Sequence, residues 1–377
     1  MLIASRPLIL WIATATTTTS FPLVRRSVQY SKVSLLSTVA SAFPIQYPSS
    51  TSCFRQNRAL RKMASVDTTI PETTLRVGLC QFHVSANKQD NHETAKSYLA
   101  EAAQKGVQLA VLPEIWNSPY ATAAFPEYAE SLPNVGDCSA SMSPSSQILI
   151  DAAKEHGLWI VGGSIPERLE EKDGDSNVVE KIYNTCLVIS PAGEVVAKHR
   201  KVHLFDIDVP GGITFFESET LSPGQTVTHF ASPFGEIGVG ICYDIRFGEL
   251  AMIMRQKYNC VILIYPGAFN LTTGPAHWEL LQRARAVDNQ CFVITASPAR
   301  ATTSNDDKAS KYPQYTAWGH STVVSPWGDI VATTDEKAGV VIADLDLGRV
   351  EEVRKAIPIG LQRRPDLYQL VENNKPK

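Results

Sequence analysis

Three residues able to share nucleophilic and acid–base work each close an apolar run. Cys242 ends "GEIGVGIC", Glu114 ends "VQLAVLPE" and Lys201 ends "EVVAKHRK". In an extended strand Ile237, Val239 and Ile241 share one face, and Gly238, Gly240 and Cys242 share the other. The second face carries no side chains ahead of the sulfur, a pattern that marks close approach by a ligand or another backbone. A helix expected from Gly248 would place its N-terminus near the thiol, and Arg246 supplies a nearby cation. Both features stabilise a thiolate. The same context also suits an inert buried cysteine, and the two readings stay open. A glutamate in a dry pocket holds its proton more tightly and serves as base, then acid. A lysine ammonium stabilises a developing oxyanion. Taken singly, Glu114 and Lys201 read as solvated strand ends or partners in an ion pair.

Histidine offers a rival base. His277 lies on a helical stripe with Leu280, Leu281 and Ala284, which predicts half-buried packing. His199 and His203 flank Lys201 and are expected on opposite sides of a strand. His320 follows Trp318-Gly319. A Cys–His pair stays open, although no Cys–His signature surrounds Cys242. Neither the histidines nor the seven cysteines (53, 80, 138, 186, 242, 260 and 291) show metal-ligand spacing, so no metal or organic cofactor is implied.

The elements that must position these residues alternate from Thr74 onward. Strands are expected over Leu75–Phe82, Val107–Leu112, Leu158–Ile165, Gly235–Ile241, Val261–Tyr265, Cys291–Ala296, Ser321–Val324, Ile330–Thr334 and Val340–Asp344. Ile182–Ser190 and Glu194–Lys198 flank Pro191-Ala192-Gly193, a hairpin signal. Helices are expected over Asn91–Lys105, Ser143–Glu155 and Gly248–Lys257, and from Gly274-Pro275 to Asn289, the proline fitting a first helical turn. Lys172–Asn177 and residues 299–316 read as loops. Strands joined partly by hairpins and partly by helices imply a layered α/β fold with mixed sheets flanked by helices.

The chain has 377 residues, enough for one large domain or two medium ones. Residues 1–66 contain eight Lys or Arg, no Asp or Glu, and many Ser and Thr, including Thr16–Ser20. This acid-free leader reads as a transit peptide, directed to the chloroplast ahead of the mitochondrion. A secretory signal ranks below it, because the apolar run Leu8–Ala13 is short. Met63 offers an internal start that would leave a cytosolic form. Residues 67–377 then form a single domain with a C-terminal extension. They carry 27 Lys and Arg against 38 Asp and Glu, a net charge near −11, which disfavours nucleic acid as a partner. No window reaches the roughly 18 apolar residues of a membrane helix.

The blocks "VLPEIWNSPY", "HRKVHLFDIDVPGGITFFESETLSPG", "GVGICYDIRFGELA", "YPGAFNLTTGPAHWELLQRARAVDNQ" and "TAWGHSTVVSPWG" resemble the nitrilase superfamily of carbon–nitrogen hydrolases. The similarity runs from about Leu75 to Asp346 with the motifs in order. It implies an α-β-β-α sandwich that dimerises through helices flanking the nucleophile. It also implies a Glu114–Lys201–Cys242 triad with Glu217 in support.

Cys242-Tyr243-Asp244-Ile245-Arg246-Phe247 resembles the omega-amidase branch, which departs from the Cys-Trp-Glu of true nitrilases. That branch implies hydrolysis of the primary amide of 2-oxo-dicarboxylate monoamides such as 2-oxoglutaramate and 2-oxosuccinamate, through a cysteine thioester. Arg246 is the candidate for the substrate carboxylate, with an ion pair to Asp244 or Glu249 as its alternative. Tyr243 and Phe269 are candidate pocket walls. Gly248 stands where the branch usually carries proline. A nitrilase or N-carbamoyl amide hydrolase would use the same triad.

Overall fold

The computed structural model describes residues 73–172, 178–301, 311–313 and 315–373. The expected leader, the Met63 start, Cys53 and most of the two expected polar loops lie outside them.

Two mixed sheets stand face to face. The first contains β1 (Thr74–Gln81), β2 (Leu109–Val111), β3 (Trp159–Val161), β4 (Ile165–Lys172), β5 (Val178–Ile189), β6 (Val195–Arg200) and β15 (Gly339–Asp346). The second contains β9 (Thr228–Ser232), β10 (Gly235–Val239), β11 (Ile262–Ile264), β12 (Phe292–Thr295), β13 (Thr322–Val324) and β14 (Ile330–Thr333). A small hairpin, β7 (Asp206–Asp208) with β8 (Thr214–Phe216), stands apart from both. Each sheet holds three parallel strands, β1–β2–β3 in one and β10–β11–β12 in the other, with antiparallel strands outside them.

Strand alternation builds the layers. Leu75, Val77, Leu79, Val111, Val161 and Val188 face inward and meet Ile237, Val239, Ile262, Ile264 and Val293 of the second sheet. The opposite face of the first sheet, including Cys80, Ala110, Ile160 and Leu187, packs on helices α1 (Lys88–Gln104) and α3 (Pro144–His156) through Ala95, Leu99, Leu149 and Ile150. Between those helices runs α2 (Phe125–Tyr128). The second sheet is covered by α4 (Gly248–Tyr258) and α5 (Gly274–Asn289) through Leu250, Met254, Trp278 and Ala286. The result is the expected α-β-β-α sandwich. Beyond β15, α6 (Gly348–Ala356) and α7 (Ile359–Gln362) lead into an exposed tail, tied back where Glu372 bonds Lys257 and Tyr258.

Local chemistry explains the helix ends. Asn87 caps α1 by accepting from the Gln89 and Asp90 N–H groups, and Ser143 caps α3 ahead of Pro144. Gly157 ends α3 with φ +66°, a conformation glycine adopts without strain.

Several expectations need correction. Leu158–Ile165 is not one strand: Gly162-Gly163 breaks it, and Ile165–Lys172 continues as β4, pairing along the N-terminal half of β5. Charged residues such as Glu170, Glu171 and Lys181 hide this ribbon, because its edge faces water rather than core. The hairpin β7–β8 and strand β9 carried no strand signal strong enough to separate them from loop.

Of the stripe His277, Leu280, Leu281 and Ala284, His277 and Leu280 face outward, Leu281 packs against the edge of the core and Ala284 is half-buried. Leu280 is 62% exposed, while Trp278, Gln282, Arg285, Ala286 and Asn289 are buried. Polar residues take the inner face because they have partners there. Arg285 donates to the Ile245 and Arg246 carbonyls, and Gln282 accepts from Thr295. The bare face of β10 is filled by neighbours and not by a ligand: a Cβ on Gly238 would lie 2.7 Å from Met254 Sδ, and one on Gly240 2.6 Å from Tyr265 Cε1.

Candidate active site

Glu114 follows the end of β2, at the carboxyl end of a parallel strand where α/β sheets place their sites. The next residue, Ile115, has φ +51°, a strained conformation for a β-branched side chain. Ser164 holds it there: its hydroxyl accepts from the Ile115 N–H at 3.1 Å, and its carbonyl from the Trp116 N–H at 3.2 Å. This kink turns Glu114 into the protein, where it is fully buried. Its Oε1 accepts from Lys201 Nζ at 3.0 Å, Asn184 Nδ2 at 2.9 Å and the Tyr120 hydroxyl at 3.2 Å, and its Oε2 accepts from the Ala268 N–H at 2.9 Å. Burial, with the negative charge of Glu217, holds the carboxyl above the ordinary glutamate range despite Lys201.

Lys201 comes one residue after β6 and is also fully buried. Its backbone is pinned on both sides, its N–H donating to the Asn184 carbonyl and its carbonyl accepting from the Gly224 N–H, each at 2.8 Å. The ammonium lies between Glu114 and Glu217, 2.9 Å from the latter. Burial works against the charge, but the two carboxylates outweigh it and keep the ammonium well above its ordinary range. Glu217 follows β8, is fully buried, and also accepts from the Phe205 N–H at 2.8 Å. The β7–β8 hairpin therefore exists in part to return the chain to Lys201.

Cys242 begins a 3₁₀ turn, Cys242–Arg246, immediately beyond β10. Its φ is +45°, a left-handed conformation that costs a non-glycine residue on the order of 1 kcal/mol or more. The strained turn lifts the side chain out of the strand and toward Glu114, whose charge acts on the thiol. Burial pushes the thiol well above its ordinary range and Glu114 adds to this. Lys201 and the Ala268 N–H act the other way. Arg246 and the thiol act on each other electrostatically, but the larger opposing cation is Lys201. Helix α4 starts at Gly248, as expected. The group at rest is a neutral thiol near a buried carboxyl.

Of the remaining candidates, Arg246 makes no ion pair with Asp244 or Glu249. Its guanidinium sits 4.8 Å above the Phe269 ring and 5.6 Å from the Tyr243 ring, and one Nη lies 3.2 Å from His277 Nδ1. Its Nε is buried without a hydrogen-bond partner. Burial lowers its affinity for a proton from the ordinary guanidinium range. Tyr243 packs edge-on to Phe205 and Phe247, and Phe269 is buried against Trp278. Gly248 opens α4, and a Cβ there would meet the Arg285 guanidinium at an ordinary 3.5 Å.

His199 and His203 do not diverge as expected. Both reach Asp244, at 3.0 and 2.8 Å. They position the turn that carries the thiol, while the side chains whose charges act most on the sulfur are Glu114 and Lys201. Sequence reasoning did not reach Asn184, Ala268 or Tyr120, and gave Asp244 only as an ion-pair partner for Arg246. Asn184 lies inside a β-strand, and Ala268 acts through its backbone. Tyr120 bonds both glutamates and lines a cavity with Glu114, Ala268 and Tyr315. Its one legible feature was its place in the block that holds Glu114. Among the described residues no cluster of three His, Cys, Asp or Glu is placed to hold a metal, and no helix is long and apolar enough to cross a membrane.

The profile of the carbon–nitrogen hydrolase family matches residues 76–355. The chain is 54% identical over 297 residues to omega-amidase NIT2 of Xenopus tropicalis, covering 79% of this chain and 98% of that one. It is 48% identical over 347 residues to a chloroplastic omega-amidase of Arabidopsis thaliana, covering 92% and 88%. Among solved structures it is similar to Saccharomyces cerevisiae Nit3, a member of branch 10 of the nitrilase superfamily, with a TM-score of 0.66, 40% identity, and coverage of 79% of this chain and 99% of Nit3.

Proposed function

From the premise that the chain belongs to the carbon–nitrogen hydrolase family, we propose that it is an omega-amidase, hydrolysing 2-oxoglutaramate and 2-oxosuccinamate to the 2-oxo acid and ammonia. Glu114 takes the proton of Cys242, and the thiolate attacks the amide carbon. Lys201 and the Tyr243 N–H hold the oxyanion. Glu114 returns the proton to the departing nitrogen, so ammonia leaves and a thioester remains. A water molecule, giving its proton to the same carboxylate, attacks the thioester. The acid departs, and the proton passes back to the sulfur. Glu217 orients Lys201 and balances its charge.

The observation that supports the substrate class is the half-buried Arg246 guanidinium, four residues past the nucleophile, with a buried Nε and no carboxylate paired with it. A guanidinium so placed is matched by the forked oxygens of a substrate carboxylate. Tyr243 and Phe269 form the walls around it. A nitrilase or N-carbamoyl hydrolase is not favoured, since the relatives at about half identity are omega-amidases. Ammonia release from 2-oxoglutaramate by wild type, lost in Cys242→Ala with the fold intact, supports the proposal. A wild type that releases none defeats the substrate assignment.

The same reading takes residues 1–66 as a chloroplast transit peptide and 67–377 as one catalytic domain. The acid-free leader supports it, as does the similarity to a chloroplastic relative over 92% of the chain, which extends into the leader. A homodimer through α4 and α5 fits the exposed Leu280 and Val287 on the outer face of α5.

A further inference from the structure

Tyr120 is buried at the heart of the site, yet the chemistry above gives it no task. Its hydroxyl lies 2.8 Å from Glu217 Oε1 and 3.2 Å from Glu114 Oε1. The same two oxygens lie 2.9 and 3.0 Å from the Lys201 ammonium. The phenol and the ammonium thus bridge one pair of carboxylate oxygens. Lysine carries three N–H bonds and serves both oxygens at once. The phenol has one proton and serves one of them at a time.

The choice follows the charge on Glu114. During the reaction Glu114 alternates between carboxylate and acid, while Glu217 takes no proton from the substrate or thiol. A carboxylate is the stronger acceptor. We infer that Tyr120 is a positioning residue whose hydroxyl is shared between Glu114 and Glu217 while both are charged and turns wholly to Glu217 once Glu114 has taken the thiol proton. The inference rests on the amidase reading above.

The surroundings allow this and little else. The ring is stacked on Tyr315 at 4.5 Å, meets Phe125 edge-on at 6.0 Å and contacts Phe215 at 5.8 Å, so the C–O bond is the free rotor. Tyr315 is itself anchored by its hydroxyl on the Ala268 carbonyl. Burial and the two glutamates keep the phenol well above its ordinary range, so it donates a hydrogen bond without losing its proton.

Tyr120→Phe keeps the ring and removes the switch. Glu114 then loses a donor in its charged form and holds a proton more tightly. The acid limb of kcat/KM for 2-oxoglutaramate is expected to move upward by about one pH unit. The same upward move is expected in the pH dependence of Cys242 alkylation by iodoacetamide, which needs Glu114 as base but no substrate. Phe125→Leu damages the packing of the same ring and is expected to leave both limbs in place. Should Tyr120→Phe fail to fold, 3-fluorotyrosine at position 120, a stronger donor of nearly the same shape, is expected to move both limbs downward. Limbs unmoved in a folded Tyr120 variant, or moved equally by Phe125→Leu, overturn the inference. If wild type spares 2-oxoglutaramate, the substrate assignment fails while the alkylation profiles still decide the role of Tyr120.

Discussion

His199 Nε2 lies 3.0 Å from Asp244 Oδ2, with both side chains fully buried. The contact joins the strand end that presents Lys201 to the turn that presents Cys242. Asp244 does more from the same position. It accepts from the Ile241 N–H at 2.9 Å, and from the backbone N–H and Nδ1 of His203 at 2.9 and 2.8 Å. His199 in turn bonds Thr228 on β9. An ionised carboxylate only accepts, so both imidazole nitrogens that face it carry hydrogen. The sheets are thereby locked in the register that brings lysine and thiol together.

Burial alone would raise the Asp244 pKa, but these donors overcome it and hold the carboxyl far below the ordinary aspartate range. Asp244→Asn is expected to cost about 3 kcal/mol at pH 7, as breaking a buried charged network does. The sign with pH follows from the depressed folded-state value. The stabilisation is fully present above the unfolded aspartate value near 3.9 and fades as pH falls below it. Urea titrations at pH 7, 5 and 3.5 check this. The gap between wild type and Asp244→Asn should hold from pH 7 to 5 and narrow at 3.5.

Glu114→Gln preserves the shape of the side chain and removes the proposed base. Hydrolysis of 2-oxoglutaramate is expected to fall by roughly 10²–10⁴-fold, the usual worth of a positioned base. In wild type the reactive free enzyme has Glu114 charged and Cys242 protonated. The Glu114 pKa is raised, so activity falls as pH drops through a value above the ordinary 4.5. The acid limb of kcat/KM should therefore lie above pH 4.5 and vanish in Glu114→Gln. A limb at or below 4.5 contradicts the buried, paired carboxyl.

The sequence made the strand ends legible because each is an abrupt step from apolar residues to one polar one. Glu114, Lys201 and Cys242 all sit at such steps. What lay beyond its reach has physical reasons. The positive φ values of Ile115 and Cys242 leave no mark in sequence, since neither is glycine and tertiary contacts impose the strain. The convergence of His199 and His203 on Asp244 depends on a chain reversal at Lys201 that periodicity does not show. Helix α5 misled because its apolar stripe at Leu280 faces outward, while Gln282, Arg285 and Asn289 are buried with partners. Periodicity finds a stripe but does not say which side of the helix the sheet occupies.

That outward stripe makes its own prediction. Leu280 and Val287 are 62% and 50% exposed on α5, and burying such a side chain contributes about 1.5–3 kcal/mol. If two copies meet through this face, Leu280→Glu places two charges in the interface. Sedimentation velocity should show wild type at twice the monomer mass and Leu280→Glu at the monomer mass. Two species of equal mass would remove α5 from the interface.

Arg246 separates the substrate assignment from the triad. Removing a hydrogen-bonded cation from a carboxylate costs about 1.5–3 kcal/mol, so Arg246→Ala is expected to lower kcat/KM for 2-oxoglutaramate roughly 10- to 100-fold, mainly through KM. Arg246→Lys should recover little, because an ammonium lacks the planar fork. A short aliphatic amide without a carboxylate should be hydrolysed equally by wild type and both variants. An equal loss on both amides would make Arg246 a support of the fold instead.

The resemblance to omega-amidases implies proline at position 248, and the surroundings of Gly248 accept the change. It is the first residue of α4, where proline's missing N–H and fixed φ are tolerated. The preceding Phe247 has φ −94° and ψ 95°, already in the extended region that proline demands of its neighbour. The nearest atoms to an added Cβ belong to the Arg285 guanidinium, at 3.5 Å or more. Glycine here only widens the unfolded ensemble, so Gly248→Pro should stabilise by about 0.4–1 kcal/mol. Thermal unfolding should show a rise of a few degrees with kcat/KM for 2-oxoglutaramate retained, because the change leaves the Cys242–Arg246 turn and its bonds to Asp244 and Arg285 in place. A lower melting temperature would mean that the backbone at Gly248 needs a freedom its present conformation does not reveal.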